Sequence, residues 1–216
     1  MTNSVSAGRS VTTARGKRGR LVAAACELVY RRGLERTTLA DIAQAADMRV
    51  GSVYYYFRTK EDLIAAVVQS RVDELDAVFA FVERGHRSPR ARLKAFMQVI
   101  AEQAGSMAQF GCPHGSLSTE LVKRAHGPGP LAARLVQVVV AWVEQQLRDM
   151  GRPDAHDLAV EYVASYQGTA VLASAMGKPQ LVISQARRRK TWVDTLAAPA
   201  NELADARHEK GTPDHD

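Results

Sequence analysis

The stretch DMRVGSVYYYFRTKEDL, Asp47 to Leu63, sets three consecutive tyrosines between a Gly-Ser pair and a Phe-Arg-Thr-Lys run. Rings that carry hydroxyls, placed beside small residues and cations, are suited to meeting a sugar-phosphate backbone. On a helical wheel Val53 and Phe57 define an inner side, and Tyr55 lies nearly opposite with Gly51 and Ser52 near it. Tyr54 and Tyr56 flank the core. The three tyrosines therefore cannot all be core, and at least one faces out. Gly51 and Ser52 let that face approach a partner closely. Lys60, opening the next helix, is within reach of a phosphate, and so are backbone N–H groups near Thr38, because helix N-termini favour anions. The competing reading of Tyr54 and Tyr56 is partial packing with their hydroxyls in water.

A second constellation is FGCPHGSLSTEL. Cys112 and His114 are neighbours in sequence and Glu120 follows. An imidazolium beside a thiol lowers its pKa, which would make Cys112 a reactive sensor of electrophiles or oxidants. One Cys and one His are also half of a zinc site. The third reading is structural: Gly111, Pro113 and Gly115 shape an interhelical loop and Cys112 fills a small apolar gap.

The elements that must position these residues are helical. Leu21, Ala24, Ala25, Leu28 and Val29 fall on one face of a helix that Gly33 stops in a left-handed turn. Thr38 with Asp41 reads as a capping box opening a short helix with Ile42, Ala43 and Ala46 inside. A third short helix runs to about Phe57 and a fourth from near Lys60 to about Arg84. Ser88-Pro89 opens another, a break follows at FGCPHG, and a short helix starts at Ser116 and stops at HGPGP. Leu131, Leu135, Val138 and Trp142 mark the next, ended by Gly151. Asp154 with Asp157 caps a helix that ends at Gly177, and Pro179 opens the last. No alternating strand pattern is convincing. The fold class is all-α: two short helices joined by a tight turn form a helix-turn-helix plan, followed by a helical bundle.

Charge is uneven. The chain of 216 residues carries +6, and residues 1–62 hold eleven Lys or Arg against six Asp or Glu. Such a field attracts polyanions, nucleic acid above all, or else marks a solubilising tail. Two cysteines suit a reducing cytoplasm. No apolar run spans a membrane and no signal peptide is apparent, so a cytoplasmic protein is expected.

The run TTLADIAQAADMRVGSVYYYFRTKEDL resembles the DNA-binding segment of tetracycline-repressor (TetR) family regulators. The resemblance covers about residues 15–65. It rests on Gly33-Leu34 before the threonines, Ile42-Ala43, the Gly51-Ser52-Val53-Tyr54 run, Phe57 and Lys60. It implies that the third helix enters the major groove. The positions matching the family's DNA contacts are Thr38, Ala40, Arg49, Val50, Gly51, Ser52, Tyr54, Tyr55, Tyr56 and Lys60, with Arg15, Lys17 and Arg18 in a basic lead-in. Three departures stand out. Asp47 replaces the usual turn glycine, and Asp tolerates the left-handed region. Arg49 replaces a small N-cap, which weakens the cap by about 1 kcal/mol. Ala40 stands where some relatives carry a base-reading Arg, which shifts base readout toward Arg49, Val50, Ser52 and the arm.

The implied domains are a disordered basic tail (1–14), a helix-turn-helix domain (15–62, motif about 38–57), an effector-binding and dimerisation domain (63–198) and a disordered tail (199–216). The implied function is a sequence-specific repressor released from a palindromic operator by a small-molecule effector, working as a homodimer without cofactor or metal. Lining candidates for an effector cavity are Phe96, Met97, Ile100, Met107 and Phe110, then Cys112, His114, Leu117, Trp142 and Tyr166, each also readable as core. The last two helices are the expected dimer interface, through Tyr162, Val163, Tyr166, Ala170 and Val171 on one and Val182, Ala186 and Val193 on the other. The run Arg187-Arg188-Arg189-Lys190 reads as a solvated face or a second DNA patch. Two other classes are a Cys-His enzyme, for which no third orienting residue stands at recognisable spacing, and a nucleoid-type protein, which the large apolar C-terminal part argues against.

Overall fold

A computed structural model describes residues 16–124 and 129–196. Among these residues ten helices follow in order: α1 Lys17–Arg32, α2 Leu39–Ala45, α3 Val50–Tyr56, α4 Lys60–Gly85, α5 Pro89–Glu102, α6 Ala104–Phe110, α7 Pro113–Arg124, α8 Pro130–Asp149, α9 Ala155–Met176 and α10 Pro179–Thr195. No strand occurs among the described residues. The expected Arg15 and both tails lie outside them, and no described helix is long and apolar enough to cross a membrane.

Two apolar clusters organise the chain. The first packs α1, α2 and α3 against the N-terminal half of α4, from Leu63 to Val72, and is completed by Leu117 and Leu121 of α7 and Ala132 and Leu135 of α8. The second gathers Leu75 and Phe79 of α4 with α5, α6, α8, α9 and α10. Helix α4 runs through both, at 26 residues about 39 Å long.

Helix starts follow local chemistry. Thr38 and Asp41 form the expected capping box on α2. Thr59 and Asp62 form a second on α4, with the same S/T-x-x-D/E spacing, which the sequence reading overlooked. Two ends differ from expectation. Gly33 takes φ 83 as a stop should, but its ψ of 162 is extended rather than left-handed helical. Asp154 precedes α9 without capping it, because both its carboxylate oxygens accept from Arg152, at 2.9 and 2.8 Å.

Helix α7 begins at Pro113 rather than Ser116, since proline is well accommodated at the first helical position. Cys-Pro-His is thus the start of a helix, not a loop. Helix α9 ends as expected at Gly177, which is left-handed at φ 63, ψ 29.

Candidate nucleic-acid interface and the contacts behind it

Helices α2 and α3 are joined by a tight closure. The Met48 N–H donates to the Ala43 carbonyl at 2.9 Å and the Asp47 N–H to Gln44 at 3.1 Å, with Asp47 at φ 53. This is a Schellman motif in which aspartate supplies the left-handed residue. It turns the chain so that α3 starts at Val50, with Arg49 as an N-cap that makes no side-chain capping bond.

The wheel orientation of α3 holds. Val53 and Phe57 are sealed, at 0% and 1% exposure, while Tyr55 stands 81% exposed and Tyr54 56%. Tyr56 is half-buried, packs against the first cluster and meets Tyr55 edge-on at 5.0 Å. Ala40, Arg49, Val50 and Gly51 are exposed, and Ser52 and Lys60 partly so. One end of the molecule therefore presents a surface of small, aromatic and cationic side chains.

Two details depart from the expected phosphate chemistry. The Thr38 N–H and hydroxyl both donate to Asp41 Oδ2, at 3.0 and 2.6 Å, so the α2 N-terminus already holds its own anion. The Thr38 hydroxyl, followed by its N–H, keeps the Asp41 carboxyl below the usual range. Arg18 lays its guanidinium over the Phe57 ring at 5.0 Å and covers part of the core, while Lys17 is simply exposed.

Behind this head lies a set of contacts that no motif announced. Arg124 on α7 forks to Glu35, ahead of α2, at 3.0 Å and to Glu61, in the first turn of α4, at 2.8 Å. The guanidinium holds the Glu61 carboxyl below its ordinary value. One turn earlier, Glu120 accepts the Leu34 N–H. A Cβ on Gly33 would come within 3.1 Å of the same carboxylate, so this glycine admits the close approach of α7. Tyr30 on α1 donates to the Gly111 carbonyl at 3.1 Å, and Arg71 on α4 donates to the Cys26 carbonyl at 2.8 Å.

At the start of α7, Cys112 is 5% exposed, and burial pushes its thiol up. The Gly115 N–H donates to its sulfur at 3.5 Å. His114 is partly exposed as a residue, yet its Nε2 is sealed from solvent with no hydrogen-bond partner. Burial first, then the Arg71 charge, lowers the imidazole to about 4. At neutral pH His114 is therefore uncharged and does not supply the imidazolium that would activate the thiol. No third metal ligand joins the pair among the described residues.

Dilute alkylating agent is thus expected to modify Cys112 and Cys26 slowly in the native protein and both rapidly once it is denatured, read by mass spectrometry. Fast native labelling of Cys112 would restore the sensor reading.

Acid titrates the same site. A folded value near 4 against 6.5 in the free residue means that between those values only the unfolded chain binds the proton. Stability is full above about 6.5 and is lost as pH falls toward 4, by about 2 kcal/mol between pH 7 and pH 5. Urea midpoints at the two values should show the drop in the native sequence and a smaller one in His114→Gln.

Most of the expected effector-lining residues pack closely on one another. Phe79 stacks on Trp142 at 4.5 Å, and Phe96 touches both rings as well as Tyr162 and Tyr166. Met97, Ile100, Met107 and Cys112 are packed in the same cluster. Leu117 belongs to the other cluster, and Phe110 leans edge-on against Tyr30 at 5.4 Å. A groove of about 410 Å³ lies elsewhere, along α5 and α10.

The expected dimer residues are displaced inward. Tyr162, Val163, Tyr166, Ala170, Val182, Ala186 and Val193 are all buried within the protomer's own core, and Val171 alone is exposed. The outward apolar residues of α9 are instead Val160, Val171, Leu172 and Met176, at 47%, 68%, 57% and 53% exposure. The buried and exposed apolar sets occupy opposite arcs of one helix.

An Asp-closed turn between two short helices, with the second presenting an exposed face and an all-helical body behind, defines a helix-turn-helix protein. Residues 21–67 match the family model described as bacterial regulatory proteins, tetR family. Over these residues the chain is similar to the DNA-binding segment of TetR-family regulators.

It is 33% identical over 87 residues to the HTH-type transcriptional repressor KstR2 of Rhodococcus jostii, covering 40% of this chain and 43% of the relative. It is 39% identical over 62 residues to the HTH-type transcriptional regulator TtgR of Pseudomonas putida, covering 29% and 30%. The matches thus span less than half the length of these curated relatives.

Among solved structures, a TetR transcriptional regulator from Legionella pneumophila superimposes with TM-score 0.70 at 20% identity, over 83% of this chain and 96% of that one. The reduced form of Escherichia coli NemR does so with TM-score 0.70 at 20% identity, over 86% and 100%. These two share the fold.

Proposed function

We propose that the chain is a sequence-specific DNA-binding transcriptional regulator, a repressor that sits as a homodimer on a palindromic operator and leaves it when a small-molecule effector binds. The observation that carries the reading is the outward face of α3. Val50, Tyr54 and Tyr55 are exposed on a helix whose opposite side is sealed by Val53 and Phe57. A seven-residue helix gains nothing for its own stability from large exposed rings, whereas a groove-docking helix needs them. The repressor sense is supported by the name of the KstR2 relative.

The partner face we assign is the exposed stripe of α9 from Val160 to Met176. A helix apolar on both sides requires cover on both, and a second copy of the chain supplies it while doubling the reader for two half-sites about 34–36 Å apart. An effector would have to enter between α5, α8 and α9 by displacing packed rings. The enzyme alternative is weakened, because the Cys112 thiol is sealed and His114 Nε2 makes no bond to it.

The test is binding of the full chain to fragments of its own upstream region by fluorescence anisotropy, with footprinting to locate a palindrome. Log affinity should fall steeply with log salt, and Lys60→Ala should flatten the slope by about one unit while weakening all sequences alike. An unchanged slope removes Lys60 from the interface, and equal affinity for every fragment sinks the sequence-specific reading.

A further inference from the structure

The groove along α5 and α10 has chemistry of its own. It holds about 410 Å³ and is lined by His86 ahead of α5, Ser88, Arg90 and Lys94 at the start of α5, Gln98 one turn on, and Lys190 of α10. The methyl groups of Ala91 and Ala95 complete the lining, and no carboxylate belongs to it. Four of the eight lining residues are His, Arg or Lys, and they come from the stretch 86–94 and from α10.

The donors are held in place but not used up. Lys94 is anchored by both oxygens of Asp194 at 2.8 Å, and Lys190 donates to Gln98 Oε1 at 2.5 Å. Each ammonium has three N–H donors. Arg90 Nε is sealed from solvent and bonded to nothing. A buried donor left unmade is costly, and Arg90 Nε is committed to no acceptor within the protein.

The α5 N-terminus adds to the field. Ser88 accepts from the Ala91 N–H, as an N-cap should, but the first turn carries no acidic residue. Helices α2 and α4 each place an aspartate there. At α5 the positive end of the helix faces Arg90 instead, an arrangement that a bound anion relieves.

We infer that this groove binds a small polyanion carrying two or more phosphate or carboxylate groups. Its volume falls in the range of small-molecule sites, and it lies on α5 and α10, which bear none of the residues of the DNA face. The inference explains part of the basic run Arg187 to Lys190: Lys190 turns into the groove, Arg189 pairs with Glu161 at 3.0 Å, and Arg187 and Arg188 face solvent.

Calorimetric titration of the full chain with pyrophosphate and, separately, citrate tests it, at a constant ionic strength of about 0.15 M. Saturable binding of at least one is expected. Pyrophosphate alone assigns phosphate groups to the ligand, and citrate alone assigns carboxylates. Arg90→Gln and Lys190→Gln should each weaken binding about tenfold, the loss of one charge-assisted hydrogen bond, while Arg187→Gln leaves it unchanged. Melting curves check folding, and Arg90→Lys, which keeps the charge but moves the donor, replaces a misfolded Arg90→Gln. No saturable binding up to about 10 mM, or equal binding in both variants, overturns the inference. Loss of duplex DNA affinity in these variants without small-anion binding also overturns it and gives the groove to DNA.

Discussion

Ala170→Glu will unfold the protomer rather than separate two of them. Ala170 is 1% exposed, inside the cluster that holds Tyr162, Tyr166 and Ala173. A carboxylate there has no cationic partner and must either stay charged in an apolar setting or bind a proton. An uncompensated buried charge costs about 3–5 kcal/mol, a large share of the roughly 5–15 kcal/mol that holds a domain together. Chemical denaturation should show the midpoint falling far below that of the native sequence. Leu172→Glu is the contrasting substitution. Position 172 is 57% exposed on the same helix, so the protomer tolerates the charge while a face doubled by symmetry would set like charges together. Sedimentation should then show monomers with nearly native helicity. A stable, dissociated Ala170→Glu would place the partner on the opposite side of α9.

The second large effect is expected at Phe57. Its ring is 1% exposed beneath the Arg18 guanidinium, at the point where α3 gives way to the turn before α4. Truncation to alanine opens a cavity in the first cluster, to which Phe57 belongs, and should cost about 3–5 kcal/mol. Tyr55→Phe, two residues earlier and pointing the other way, should leave the melting temperature unchanged and weaken DNA binding by the loss of one hydroxyl. If Tyr55→Phe binds normally and Tyr55→Ala unfolds the head, the outward assignment of Tyr55 is wrong.

The contrast between these two predictions marks what local sequence encodes. Thr38 and Asp41 are three residues apart, and Val53 and Phe57 four, so caps and wheel positions on short amphipathic helices were legible without coordinates. The αL residue Asp47 was legible for the same reason. Helix α9 was not, because valine, leucine and alanine occupy both its arcs, and its few polar residues, Asp157 and Glu161 among them, do not mark out the arc that faces its own chain. The contacts of Glu120 and Arg124 escaped for another reason. Their partners Leu34, Glu35 and Glu61 lie 86, 89 and 63 residues away, and no periodicity reports a pairing at that range. The start of α7 was misplaced because the glycines around Cys-Pro-His suggested a loop, while Pro113 itself marked the first turn.

The composition of the first cluster sets a limit on transplantation. Of its twenty buried members among the described residues, eleven lie before position 62, five on α4 up to Val72, and four on α7 and α8. A graft of residues 16–62 onto a foreign body would arrive with little more than half a core, and segments of that size are marginal even when complete. Moving the junction beyond Val72 recovers the α4 side chains but still leaves Leu117, Leu121, Ala132 and Leu135 behind. A hybrid that keeps this head folded must therefore carry α7 and the first turns of α8 with it, or receive a host whose corresponding helices offer side chains of similar size at those four places.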